Sequence, residues 1–327
     1  MLKKRWRRFA LALVALVVLV AGILLIASAL RDHKEPGGSG EVKGIMYRIT
    51  DGDTTLYLLG SIHVGNEEMH PFGTDIQSAM EESDIFIFEC DAKTSEAVSI
   101  INHMMVYQDG TVLADVISEP LYAKLNTVWK QKNFRPLSLD GLKPWAVTNM
   151  LSQEAVVAEF GVQSLETAQK YGVDESVRAF ADNNKKALRY VETMQEQLAM
   201  MDGFSPALQE YLLNEALDLI AEPSMATGMN AELALWPVWW KAGNATAFAE
   251  SFARSYEHMQ DAALLEEYYT ALIGRRNSHM AAELDRILKE NPGSTCFATI
   301  GLLHVVLPDG SIPEHLQSLG YDVTFLE

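Results

Sequence analysis

Two histidines close matched motifs near opposite ends of the folded part of the chain. One is Leu56-Tyr57-Leu58-Leu59-Gly60-Ser61-Ile62-His63, and the other is Phe297-Ala298-Thr299-Ile300-Gly301-Leu302-Leu303-His304. Each is a β-prone run closed by glycine, with an imidazole three residues on. Such a run reads as a buried strand whose glycine lets the backbone turn sharply or approach a ligand closely. In open α/β sheets ligands bind outside the carboxyl ends of the strands, so two such ends can aim two imidazoles at one spot. A single histidine after a strand reads as a hydrogen-bonded structural residue, whereas two copies of one architecture also admit a shared site. A third apolar run, Asp84-Ile85-Phe86-Ile87-Phe88-Glu89-Cys90-Asp91, ends in acids. It resembles a buried parallel strand delivering Glu89 to the same edge; the other reading is that these acids cap the next turn.

The elements that must hold these residues follow from periodicity. Residues 44–50 and 54–59 around Asp51-Gly52-Asp53 predict a β-hairpin whose second strand leads to His63. A helix is expected over 71–83, then the strand ending at Glu89. From Thr94 to Leu288 helices dominate, among them segments starting near Glu119, running from Pro144 to about Glu159, and opening at Tyr171-Gly172-Val173-Asp174 with Val177 and Phe180 on one side. Ala187 to Glu192 reads as one more brief strand ending in an acid, followed by a helix through Met201. Trp236-Pro237-Val238-Trp239-Trp240 reads as core in preference to a membrane-facing patch, and Asn277 or Ser278 as the cap of a helix running through Leu288. A helix over 313–319 and a strand over 321–326 close the chain. Strands thus cluster at both ends of residues 44–327 with a helical insert over about 94–288, and a single core requires the terminal strands to share one sheet. The expected fold class is α/β, a mixed sheet with a large helical insert. Cys90 and Cys296 are too few for a disulfide framework and read as free thiols, with one cross-strand disulfide as the alternative.

The chain has 327 residues and a formal net charge of −18. That balance argues against nucleic-acid binding, which needs basic stripes. The exception is the start, where residues 1–8 hold Lys3, Lys4, Arg5, Arg7 and Arg8, and residues 9–30 carry no charged side chain. A span of roughly 20 apolar residues crosses a bilayer, and its basic flank stays in the cytoplasm. Residues 9–30 are therefore expected to form a single-pass anchor in the cell membrane, with the C-terminal domain extracytoplasmic; a signal cleaved after Ala27-Ser28-Ala29 is the alternative. Residues 31–43, rich in glycine and charge, read as a linker.

Taken in order, a set of short motifs resembles the TraB/GumN family, whose relatives include the Tiki membrane-anchored proteases. They are Leu58 to His63, Ile87-Phe88-Glu89-Cys90-Asp91, Pro144-Trp145, Tyr171-Gly172-Val173-Asp174, Val191-Glu192-Thr193 with Gln195 and Gln197, Arg276-Asn277, Gly301 to His304 with Leu307-Pro308-Asp309-Gly310, and Leu319-Gly320-Tyr321-Asp322-Val323. The resemblance implies a mixed sheet with a helical insert and metal-dependent peptide hydrolysis. Carried onto this chain it gives a site of His63, Glu89, Glu192 and His304, with His63, Glu89 and His304 as metal ligands and Arg276 as an electrostatic partner for a developing oxyanion. Leu302 and Leu303 stand where the family commonly has small residues, narrowing the room beside His304. No Gly-x-Ser-x-Gly elbow and no His-Glu-x-x-His signature is present. Two histidines and a carboxylate suit zinc, manganese or cobalt. The expected partner is a peptide or protein substrate. Two other readings stand beside this one: a metal-free His/Glu hydrolase of the erythromycin-esterase type, and a non-catalytic protein that binds a peptide pheromone.

Overall fold

A computed structural model describes residues 41–132, 138–221, 223–258 and 261–327. Six strands form one mixed sheet: β1 (Met46–Asp51), β2 (Thr54–Ser61), β3 (Ile85–Phe88), β4 (Ala187–Tyr190), β5 (Thr295–Gly301) and β6 (Asp322–Leu326), in the order β4-β3-β5-β2-β1-β6. Strands β4, β3, β5 and β2 run parallel, while β1 is antiparallel to β2 and to β6. The expected α/β class and the pairing of strands from the two ends both hold. The brief strand read at Ala187 comes from within the helical region and takes one edge of the sheet.

Alternation along the central strands sorts side chains onto two faces. Leu56, Leu58, Ile85, Ile87, Cys296, Ala298 and Ile300 join one apolar cluster, which the helix Arg275–Glu290 closes with Met280, Leu284 and Ile287. Leu59, Phe86, Phe88 and Phe297 join the other, covered by Ile76 of the helix Thr74–Glu82, by Val173 and Val177 of the helix Val173–Asn183, and by Trp236 and Trp240. The tryptophan stretch is thus core, and the Trp240 indole donates to the Gly60 carbonyl at 2.8 Å. A third cluster unites the helices of the insert, and Leu303 and Leu307, just past β5, belong to it. The carboxyl edge of the sheet is therefore pinned between the sheet's own core and that of the insert.

One sequence expectation holds and two change. Cys90 and Cys296 are free thiols. The register sets Cys296 opposite Ile85, several residues before Cys90, which at about 3.3 Å per residue is beyond disulfide reach. Residues 41–43, read as linker, already belong to the fold: Val42 is buried, Gly73 N–H donates to its carbonyl at 2.8 Å, and Lys43 N–H donates to the Lys241 carbonyl at 2.8 Å. Asn277 lies inside the helix Arg275–Glu290 and caps nothing, because the helix Ala262–Tyr269 continues into it through a wide π turn, Thr270–Gly274. The anchor expected over residues 9–30 lies outside the described residues. Among the described residues no helix is long and apolar enough to cross a membrane.

Candidate functional site

The glycines of the two motifs lie side by side. In the β2–β5 ladder Gly60 pairs with Ile300 and Ser61 with Gly301, so both chains leave the sheet at one point. Their exits differ. After Ser61 the backbone runs on without helix or strand to His63, whereas after Gly301 a short helix, Leu302–Val306, begins at once and carries His304 in its first turn. Leu302 fills the space over Gly60, where a Cβ would lie 2.7 Å from its Cδ1. Gly60 is thus needed for its missing side chain.

His63 Nδ1 sits 2.6 Å from Asp174 Oδ2. A carboxylate only accepts, so Nδ1 carries the proton and Nε2 faces away from the pair. Burial pulls this imidazole down, but the adjoining Asp174 charge and hydrogen bond more than offset it, and the pKa rises to about 8. Backbone contacts fix the pair. Val173 N–H donates to the Ile62 carbonyl at 3.0 Å, and Gly65 N–H to that of Ala168 at 2.8 Å. A Cβ on Gly172 would lie 2.4 Å from the His63 carbonyl oxygen, and one on Gly65 2.2 Å from that of Tyr171. Only glycine allows these two segments to touch, and the touching brings Asp174 to His63.

His304 is buried and its Nδ1 lies 2.5 Å from Asn277 Oδ1. The Asn277 amide is oriented by its other end, Nδ2 donating to the Gly310 carbonyl at 2.7 Å. Oδ1 must then accept from His304, leaving Nε2 as a lone pair, and that lone pair receives Arg276 Nη1 at 3.0 Å. Burial, helped by Arg276 and then His63, holds this imidazole well below the ordinary range, so it is neutral.

Arg276 joins the remaining residues. Its Nε and Nη2 fork onto Glu192 at 2.9 and 2.6 Å, and Nη2 also reaches Glu89 Oε2 at 3.1 Å. Glu89 Oε1 accepts from Gly301 N–H at 2.6 Å, and the Gln197 amide bridges Glu89 Oε2 at 2.8 Å and Glu192 Oε2 at 3.0 Å. Cys90 Sγ in turn donates to Gln197 Oε1 at 3.4 Å. Glu89 reaches this place at the end of β3, and Glu192 just beyond β4, where its N–H donates to the Glu89 carbonyl at 2.8 Å. The five residues singled out from sequence are thus one neighbourhood. Glu89, Glu192, Arg276 and His304 are in direct contact, and His63 stands close enough to shift with the Glu89 and Arg276 charges. Asp174, Gln197 and Asn277 complete it.

A model of the TraB/PrgY/gumN family matches residues 45–324, from the start of β1 through the insert and into β6. The chain belongs to this family. It is also similar to the uncharacterized protein YbaP of Escherichia coli (strain K12), 24% identical over 271 residues that cover 81% of this chain and 89% of that protein, and to YbaP of Shigella flexneri with the same identity and coverage.

Two tests bear on a metal. The donor chemistry of this family member fits: two imidazoles whose Nδ1 atoms are tied to side-chain oxygens present Nε2, as metal-ligating histidines do. Once His63 gives up its proton, as a metal ligand must, Glu89, Glu192 and Asp174 outnumber Arg276 by two negative charges, which a divalent cation would balance. The spacing is another matter. Among the described residues no three His, Cys, Asp or Glu side chains stand as a ready ligand group, because the cation at the centre is the Arg276 guanidinium.

Proposed function

We propose that the protein is a divalent-metal-dependent hydrolase of peptide bonds, with His63, His304 and Glu89 as the ligands. The observation that carries this reading is the pair of oriented imidazoles, Nδ1 of one on Asp174 and of the other on Asn277, beside a buried surplus of carboxylate. His63, His304 and Glu89 would hold zinc, manganese or cobalt by their N/O donors, and such an ion would supply Lewis-acid polarisation of a scissile carbonyl and a water with its pKa lowered toward ~7. The chain's own residues supply the rest. Asp174 and Asn277 fix both tautomers, Gly301 N–H and Gln197 hold the Glu89 carboxylate in place, and the insert closes over the sheet edge and limits water. One N–H of Arg276 Nη1 has no acceptor among the described residues and is available to a developing oxyanion.

The peptide substrate rests on the resemblance to Tiki proteases. Placement outside the cytoplasmic membrane rests on Lys3 to Arg8 preceding the uncharged run 9–30. One observation favours a second, metal-free reading: His63 is an imidazole held by the Asp174 carboxylate, which serves as a general base once deprotonated, while the His304 lone pair is engaged by Arg276.

Exhaustive chelation of the purified full-length chain, followed by elemental analysis and digestion of an unbiased peptide library, separates the readings. The expected result is loss of ion and cleavage together, both restored by zinc, manganese or cobalt. Cleavage that survives chelation supports the His63–Asp174 base, and peptide capture without cleavage supports a binding protein.

A further inference from the structure

The Arg276 contacts are unequal, and their inequality points to a role. The fork onto Glu192 is short on both arms, 2.9 and 2.6 Å, whereas the contacts to Glu89 and to His304 Nε2 are single and longer, 3.1 and 3.0 Å. The two weaker contacts fall on two of the residues assigned to the ion, and the strong fork falls on the carboxylate that is not. We propose that Arg276 is a resident stand-in for the divalent ion: in the metal-free chain it holds Glu89 and His304, two of the three ligands, gives them up when the ion binds, and stays on Glu192. The proposal rests on the metal reading above.

Burial makes such a stand-in necessary. The side chains of Arg276, Glu89 and Glu192 are 7%, 5% and 4% exposed. Two carboxylates at that depth need a positive charge to offset their desolvation, which the amides on them supply only in part, and breaking a buried ion pair is strongly destabilising. Guanidinium suits the task because it stays charged at any ordinary pH and its fork matches a carboxylate edge. What remains after it withdraws is already braced. Gly301 N–H and the Gln197 amide still hold Glu89, and Asn277 still holds the His304 ring. The ligand set therefore does not collapse when the guanidinium leaves, and the ion competes with one side chain instead of reorganising a pocket. Arg276 also lies just beyond the π turn Thr270–Gly274, the break in regular helix that sets its angle toward the sheet.

A competitor weakens what it competes with. Arg276→Met, which keeps the bulk and removes the charge, should lower the melting temperature of the chelated chain yet bind cobalt(II) at least tenfold more tightly than wild type. Its melting temperature should rise more on cobalt addition than that of wild type. Arg276→Gln, whose amide can still donate to Glu192, should show the same tightening with a milder loss of stability, and serves if the first variant folds only with metal. Cobalt binding by the full-length chains would be read from its visible absorption in competition with a chelator, and stability from thermal melting, so neither readout depends on cleavage. Equal or weaker cobalt binding in both variants, with wild type binding normally, overturns the stand-in role. Absence of cobalt binding in wild type overturns the metal reading itself, and this role with it.

Discussion

The two Gly-x-x-His motifs share spacing and strand context yet hold their imidazoles in opposite states. His63, 13% exposed on a loop, is paired with Asp174 and raised to about 8. His304, 1% exposed on a helix, is tied to a neutral amide, faces a guanidinium, and is held well below its ordinary range. Strand ends and glycines decide where an imidazole sits; its depth of burial and the charges beside it decide whether it carries a proton. A site with one cation-prone and one permanently neutral histidine differs from the symmetric pair that the motifs alone suggest. The asymmetry traces to Asp174 beside His63 and to the deeper burial of His304 against Arg276.

That comparison breaks most completely when either ring is removed. His63→Ala and His304→Ala should each abolish bound metal and nearly all cleavage, and the double variant should cost little more, since ligands of one ion act as a unit. Retained metal in one single variant would show that the rings serve separate ends.

Gly172→Ala should come next. A Cβ 2.4 Å from the His63 carbonyl and 3.0 Å from that of Gln169 meets backbone on both sides, so overpacking should cost about 1 to 3 kcal/mol in urea unfolding and displace His63 from Asp174. Unchanged stability would show that the two segments can part without harm.

Asp174→Asn tests the protonation half in the chelated chain. A His63 pKa raised from 6.5 to about 8 contributes stability present in full below pH 6.5 and lost as pH rises through 8. Since one pK unit is about 1.4 kcal/mol, the wild-type advantage over the variant should shrink by roughly 2 kcal/mol across that window. His304 has the opposite sign. Its lowered pKa contributes stability above 6.5 that is lost as pH falls, and this acid-side slope should survive in Asp174→Asn. Disappearance of both slopes together would mean the rings are not independently set.

The smallest effect is expected for Cys90→Ala, which removes only the thiol contact to Gln197. It should cost about 1 kcal/mol or less and leave metal content unchanged.

Much of this was legible in the chain. Alternating runs at the sheet's edges, continuous apolar runs at its centre, and the breaks between them mark all six strands, including the brief one at Ala187. His63, Glu89 and His304 stood out since each terminates such a run. Glu192 also ends a brief run, but it and Arg276 gain a role in the site only from the family motifs, and the structure brings both to the same edge. Asp174 belongs to one of those motifs but carries no local sign of its role, for its partner lies 111 residues away. Asn277 looked like a cap because the π turn that carries one helix into the next has no local pattern. No periodicity shows either partner, as both depend on which helix ends are packed against the sheet edge.

The most direct test of the central claim, that both motif histidines serve one ion, is the metal content of full-length wild type and His304→Ala after loading with zinc, manganese or cobalt and removal of excess. A single divalent ion bound by wild type and lost from the variant is expected. Equal metal in the two proteins, with cleavage persisting in both, would contradict it.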